Sequence, residues 1–354
     1  DPGWSQSVGH ADINGDNLQD LIVGNDFGIN SYYLNLGNGK FKEVSRSIGT
    51  DKPSFTMNIG ISDLNRDHLP DFYISNIVVM EKDEKYVRPE AESHMKLNPH
   101  AMANMRVVEA NDLFLSSKDD KDSLWYTLSN NITRGYASTG WSWDADFFDF
   151  DNDGDQDLYC LTGMNDFLVY SAENPYYQDS KGIDRQVLLA GSSREPNVFF
   201  ENEGGMLNIV ENNSGMDVVY NSRSAAFLDL DMDGDEDVAM NNYHDKAVVF
   251  RNNNDTNGNN WIKIKLIGAP NEGITRDAIG AKIIATAKDL DVWSEIHSTT
   301  GYLSVHPKEQ HVGVGKAKSV KLAIAWPNGK EDVFENVLAG ERYIITYGDG
   351  IQVR

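Results

Sequence analysis

Four short stretches of the chain place oxygen ligands at one repeated spacing. They read DINGDNLQD (12–20), DLNRDHLPD (63–71), DFDNDGDQD (149–157) and DLDMDGDED (229–237), all of the form D-x-[DN]-x-D-x-x-x-D. Side-chain oxygens at positions 1, 3, 5 and 9, with the backbone carbonyl of position 7, make a compact cage for a hard cation. The predicted ligands of loop 1 are Asp12, Asn14, Asp16, Leu18 and Asp20, and those of loop 2 are Asp63, Asn65, Asp67, Leu69 and Asp71. Loop 3 offers Asp149, Asp151, Asp153, Asp155 and Asp157, and loop 4 offers Asp229, Asp231, Asp233, Asp235 and Asp237. Calcium suits such cages, because it takes 6–8 oxygens in irregular geometry, whereas magnesium gives up its waters reluctantly. About four calcium ions, one per loop, are expected. Without a cation, carboxylates a few ångströms apart repel strongly.

Position 6 must turn sharply, and it is Asn17, His68, Gly154 and Gly234, types that tolerate positive φ better than most. The loops are not EF-hands: position 12 is Val23, Ile74, Cys160 and Met240, never Glu. Loops 3 and 4 carry four ligand carboxylates each. Loops 1 and 2 have Asn14 and Asn65 at position 3 and carry three, so tighter binding is expected at loops 3 and 4. Solvated Asp-rich turns would explain the composition, but not four copies of one spacing. The cation reading fails if lysine side chains neutralise the loop tips instead.

Each loop is followed by a strand-like run, such as Leu21-Ile22-Val23 or Leu158-Tyr159-Cys160-Leu161, so each joins two β-strands. Between loops lies a second repeated element: NSYYLNLGNGKFKEV (30–44), NDLFLSSKDDKDSLWYTL (111–128) and NVFFENEGGMLNIV (197–210), echoed in AVVFRNN (247–253). A short aromatic strand, a polar turn and another strand make a hairpin. Allowing for two insertions near 77–110 and 164–196, the period is about fifty residues with four strands per unit, the pattern of a β-propeller blade. Closed propellers take about 4–8 blades. The expectation is that blades N-terminal to Asp1 are missing from this chain, with a four-bladed ring as the alternative.

The 354 residues carry a formal charge of −24, and the four loops hold 17 of the 55 acids. That balance excludes duplex DNA and anionic membranes as ligands, which need a basic footprint. No apolar run approaches the ~18 residues of a membrane span. The single cysteine, Cys160, excludes an internal disulfide framework.

The repeat resembles the FG-GAP/VCBS family over about 1–257, which implies a calcium-binding propeller, usually outside the cytoplasm. The remainder, 258–354, resembles the ASPIC/UnbV domain in NNWIKIKLIG (259–268), RDAIGAKI (276–283), GYLSVHPKEQHVGVG (301–315) and AWPNGKEDVFENV (325–337). This order of domains is similar to that of the cartilage acidic protein family. Its animal members usually carry a Cys-rich segment, and the lack of one here points to a bacterial relative. The tail itself reads as all-β: Trp261 to Leu266 and Val320 to Ile324 alternate at period 2. The expected fold is thus all-β, a propeller region followed by a small sandwich of seven or eight strands.

The eight histidines show no zinc spacing. His94 and His100 share an insertion with Glu90 and Glu92, and His10 reads as structural. Trp141 and Trp143 should share one strand face, as core packing or as a sugar-stacking platform. The insertions hold Phe167, Tyr170, Tyr176 and Tyr177, and Met80, Met95, Met102 and Met105, surfaces suited to partner contacts. Residues 89–105 could be partly helical. Three N-x-[ST] triplets begin at Asn131, Asn212 and Asn254. The sum is a non-catalytic, calcium-stabilised extracytoplasmic module that binds a protein or glycan, as a secreted, periplasmic or lipid-anchored surface protein or an accessory subunit of an outer-membrane assembly. The rival is a metal-dependent sugar lyase or dehydratase, which should show paired acids or histidines away from the four loops in a deep cleft.

Overall fold

The computed structural model describes residues 4–77, 111–132, 139–163, 195–210, 214–243, 245–253, 258–288 and 290–354. Most of both insertions, His94, His100, His244 and the triplets at Asn131, Asn212 and Asn254 lie wholly or partly outside them.

The first part is built of antiparallel sheets in chain order. Blade 1 comprises β1 (Trp4–Ala11), β2 (Asp20–Ile29), β3 (Ser31–Asn35) and β4 (Phe41–Glu43). Blade 2 comprises β5 (Pro53–Ser62), β6 (Asp71–Asn76), β7 (Asp112–Lys118) and β8 (Leu124–Leu128). Blade 3 is formed by β9 (Ser142–Phe148), β10 (Asp157–Thr162), β12 (Val198–Glu203) and β13 (Met206–Ile209). A short pair, β11 (Glu195–Pro196) with β14 (Val219–Tyr220), lies beside it. Blade 4 has β15 (Ser222–Leu228), β16 (Asp237–Asn242) and β17 (Val248–Phe250). Each acidic loop joins the first and second strands of its blade, as the sequence predicts, and the aromatic hairpins are β3–β4, β7–β8 and β12–β13.

The second strands carry near-continuous apolar runs because they are covered on both faces. Every residue of β6 and β10 is buried. First strands pack side by side, β1 on β5, β5 on β9 and β9 on β15. They approach so closely that a Cβ on Gly60 would meet the Ala145 carbonyl at 2.7 Å.

Three hydrophobic cores result. One is centred on Ile22, Tyr32, Phe72 and Tyr126, the next on Tyr73, Leu158 and Phe200, and the third on Phe148, Tyr159 and Phe227. Among the described residues no core joins blade 4 back to blade 1. Among the described residues the four blades follow one another as an arc.

The second part is a sandwich of two four-stranded sheets. One sheet has the order β21 (Gln310–Gly315), β18 (Asn260–Ile267), β24 (Glu341–Thr346) and β25 (Gly350–Val353). The other has β20 (Leu290–Glu295), β19 (Lys282–Ala287), β22 (Ser319–Ala325) and β23 (Glu331–Leu338). The period-2 pattern fills the space between them: Ile262, Ile264 and Leu266 from β18 meet Val320, Leu322 and Ile324 from β22 around Trp326. Lys263, on the opposite face of β18, is only 4 % exposed although charged. It points at the arc.

Candidate metal centres

Each acidic loop is shaped by its own carboxylates accepting backbone N–H groups, which favours tight Asx-type turns. In loop 3 the Gly154 N–H donates to Asp149 Oδ2 (2.9 Å) and the Asp153 N–H to Asp149 Oδ1 (3.2 Å). The equivalent donors reach Asp12 in loop 1, Asp63 in loop 2 and Asp229 in loop 4. The backbone turns left-handed at position 6, at Asn17, His68, Gly154 and Gly234, as expected. It does so at position 4 as well, at Gly15, Arg66, Asn152 and Met232, which residue type signals only at Gly15 and Asn152.

Position 9 has a second role that spacing did not reveal. One oxygen of Asp20, Asp71, Asp157 and Asp237 accepts the N–H of position 2 of its own loop. The other accepts the N–H of Asn35, Ser116, Asn202 or Asn252, beyond the blade's second strand. Each of these aspartates therefore ties its loop to the chain in or just after the third strand of its blade.

Two loops bring three carboxylates together. Ligand oxygens of Asp149, Asp151 and Asp153 lie within 4.8 Å of one another, as do those of Asp229, Asp231 and Asp237. In loops 1 and 2 the Asn14 and Asn65 amides instead donate to Asp16 and Asp67, at 3.0 and 3.2 Å. The side chains at position 7 face elsewhere: Asp155 accepts from Arg66 and Asp235 from Asn152, while Leu18 is exposed and Leu69 buried. Only their carbonyls remain for a cage.

Burial raises these acids. Asp149 and Asp157 are held well above the usual carboxylate range by loss of solvent and by neighbouring aspartates. For the same first cause Asp20 and Asp71 are pushed up to about 7, and Asp63 and Asp153 to about 6. A divalent cation would reverse the penalty. The residues fit one, because the Asp229 side chain is 1 % exposed and its buried Oδ1 has no hydrogen-bond partner. Such an oxygen is costly unless something positive meets it.

Cations of another kind also reach the loops. Lys282 Nζ lies 2.5 Å from Asp12 Oδ2, Lys263 Nζ 3.0 Å from Asp229 Oδ2, and an Arg342 nitrogen 2.6 Å from the same oxygen. Arg251 bridges Asp231 and Asp233. The lysine alternative is therefore partly realised at loops 1 and 4. No amine sits on Asp149 among the described residues.

All four loops are the seat of the sandwich. Besides the contacts of loops 1 and 4, Gly234 lies under Trp261 and Gly154 under Leu290 and Val292. Gly313 lies over Asp149, and His68 faces Asp291 at 3.1 Å. The segment between β20 and β21 runs down the inner strands of the arc. Ser298 Oγ meets His10 Nε2 (2.6 Å), and the Tyr302 N–H donates to Asp144 Oδ1 (2.7 Å). His306 Nε2 lies 3.0 Å from Asp146 Oδ2. Gly301, at φ 68°, has room only for hydrogen, since a Cβ would meet Ser304 Oγ at 2.2 Å. Trp141 and Trp143 do share a face, but Trp143 is covered by Arg223 (4.3 Å) and Tyr302, so the pair is packing and not an open platform.

Such an arc with acidic strand-to-strand loops, capped by a two-sheet sandwich, is similar to an FG-GAP-type repeat module followed by an ASPIC/UnbV domain. Residues 12–74 match the family described as FG-GAP-like repeat, and residues 271–352 match ASPIC and UnbV. The second match contains the segment that enters the arc. Over most of its length the chain is similar to cartilage acidic protein 1. It is 24 % identical to the protein from Homo sapiens over 324 residues, 91 % of this chain and 40 % of that protein. Identity to the Mus musculus protein is 23 % over 313 residues, 88 % of this chain and 40 % of that one. The chain thus spans about two-fifths of the length of these curated relatives. Among the described residues no helix is long and apolar enough to cross a membrane.

Proposed function

We propose that the chain is a calcium-stabilised, extracytoplasmic binding module that presents the outer surface of its arc to a protein or glycan. One observation carries the calcium reading: Asp149, only 1 % exposed, shares a 4.8 Å neighbourhood with Asp151 and Asp153 and has no amine on it among the described residues. When bound, calcium would neutralise these acids; Asp149, Asp151 and Asp153 would hold it at loop 3, and Asp229, Asp231 and Asp237 at loop 4. A ligand that binds only the folded state adds about 2.7 kcal/mol at a hundredfold excess over its Kd. Exterior calcium keeps modest sites filled, which supports a location outside the cytoplasm, as does the similarity to FG-GAP repeats and to cartilage acidic protein 1. The test is thermal unfolding with and without EGTA. A large chelator-induced drop in Tm supports the reading, and coincident curves refute it. A pull-down from native membranes in calcium, with mass spectrometry, tests for the partner, including outer-membrane proteins; recovery of none counts against the binding role.

Paired acids do lie away from the loops, but Asp144 is saturated. It accepts from the Tyr302 and Ala225 N–H groups, the Asn58 amide and Ser304 Oγ. Asp146, Glu236, His297, His306 and His311 line one cavity between the arc and the sandwich, which is the mark expected of the lyase or dehydratase and keeps that second reading in play.

A further inference from the structure

The sandwich reaches both end blades of the arc with amines. At loop 1, Lys282 Nζ lies 2.5 Å from Asp12 Oδ2. That oxygen also accepts the Asn17 N–H (2.7 Å), and Asp12 Oδ1 accepts the Gly15 and Asp16 N–H groups at 2.8 and 3.0 Å. Both oxygens of Asp12 are thus taken. Lys282 does not act alone: its cross-strand neighbour Glu295 accepts the Asp12 N–H (3.2 Å) and the Gln19 amide. The pair grips loop 1 with both signs of charge. Glu295, itself buried, faces an acidic loop at a heavy cost unless a cation lies between them, and Lys282 is that cation.

At loop 4 the same device is half closed. Lys263 Nζ and an Arg342 nitrogen lie 3.0 and 2.6 Å from Asp229 Oδ2, which also accepts the Gly234 N–H at 3.1 Å. Asp229 Oδ1 is left without a partner although it is shielded from solvent. One ligand oxygen of Asp229 lies within 4.8 Å of those of Asp231 and Asp237. At loop 3, Asp149 accepts only backbone N–H groups and has no amine on it among the described residues. Loops 1, 4 and 3 therefore form a series: closed, half closed and open. An ammonium group and a metal ion want the same oxygens, and a calcium ion at about 2.3–2.6 Å from a carboxylate repels an amine beside it. Little water screens that repulsion here, since the Lys263 and Arg342 side chains are 5 % and 16 % exposed.

We propose that Lys282, Lys263 and Arg342 are built-in counter-ions through which the sandwich competes with calcium for the arc. Loop 3 takes an ion freely, loop 4 takes one against Lys263 and Arg342, and loop 1 takes none while Lys282 is in place. This grading rests on the calcium reading above, and it separates loops 3 and 4, which ligand count alone makes equal. It lets the end blades stay seated on the sandwich when metal is scarce, because three side chains stand in for it. The coupling is reciprocal: an ion that enters loop 4 weakens the hold of Lys263 and Arg342 on Asp229.

The test is calcium titration of the full chain by calorimetry and native mass spectrometry, which count the ions and give their affinities. On the wild-type background Asp153→Ala should remove the tightest site, Asp231→Ala a weaker one, and Asp16→Ala none. Lys282→Met should add one ion, and Asp16→Ala in that background should take it away again. Lys263→Met should tighten the loop 4 site at least about tenfold. Lys321→Met, at an exposed lysine of β22 that faces Glu335, should change nothing. Loss of an ion in Asp16→Ala on the wild-type background overturns the proposal. So do an unchanged count in Lys282→Met and an unchanged affinity in Lys263→Met. Should Lys282→Met fail to fold, the three aspartate variants and Lys263→Met still decide. A wild type that binds calcium while the variants disobey these expectations refutes the grading alone; a wild type that binds none refutes the calcium reading with it.

Discussion

Asp153 and Asp16 hold the same place in loops 3 and 1 but have different neighbours. Asp153 completes a group of three carboxylates, while Asp16 is exposed and shares its loop with the Asn14 amide. Asp153→Ala should therefore shrink the EGTA-induced drop in Tm more than Asp16→Ala; the opposite order would contradict the ligand argument. Gly234 makes a separate prediction. It sits at φ 105°, and a Cβ there would lie 1.7 Å from Trp261 Nε1. Gly234→Ala should cost about 1–3 kcal/mol in denaturant unfolding through clash added to strain. Gly37→Ala, at φ 73° with nothing within 4 Å, should cost only the conformational part, about 1–2 kcal/mol. At this scale the ligand spacing and the position-6 turns were legible, because both are written in residue type within nine residues. The turn at Met232 and the tie from Asp237 to Asn252 were not. The first is imposed by the carboxylates around it, and the second reaches 15 residues onward through the sheet.

The segment between β20 and β21 is held by acceptors on the inner strands, chiefly Asp144. Asp144→Ala removes the partner of the Tyr302 and Ala225 N–H groups at once. Hydrogen exchange at those two amides should accelerate tenfold or more, following the worth of a bond to a buried charge. Exchange in β18 and β22, inside the sandwich, should not change. Equal acceleration throughout would mean that the segment is not a separate unit. Strands, hairpins and the alternation of β18 and β22 could be read from the chain. The destination of the segment could not: GYLSVHPKEQHVGVG shows turns and polar residues, and no local pattern says that Tyr302 meets Asp144, 158 residues earlier. Lys263 gave no sign of it either, since with Lys265 it falls on the outward face of the β18 alternation, where a lysine is ordinary.

For the whole molecule, a calcium ion bound as proposed would compete with protons for one set of carboxylates. With metal absent, Asp20 and Asp71 sit near 7, and Asp63 and Asp153 near 6, against about 3.8 in the unfolded chain. The folded state then binds protons that the unfolded state has released, so this contribution to stability is lost as pH rises from about 4 to about 7. His10, His297 and His311 act in the opposite sense, being held below the histidine value. Their effect is common to both metal states and cancels in the difference. The calcium-induced rise in Tm should therefore be larger at pH 8 than at pH 5; a pH-independent rise would show that the ion is held elsewhere. The bond between His10 and Ser298 carries a last consequence, for assembly in time. It joins positions 288 residues apart. Contacts so remote are slow to find, because a long stretch of chain must be ordered before they reward it. The first blade therefore waits, its acids facing water, until residues synthesised much later arrive to cover them, and seating of the sandwich is expected to be the slow step of folding.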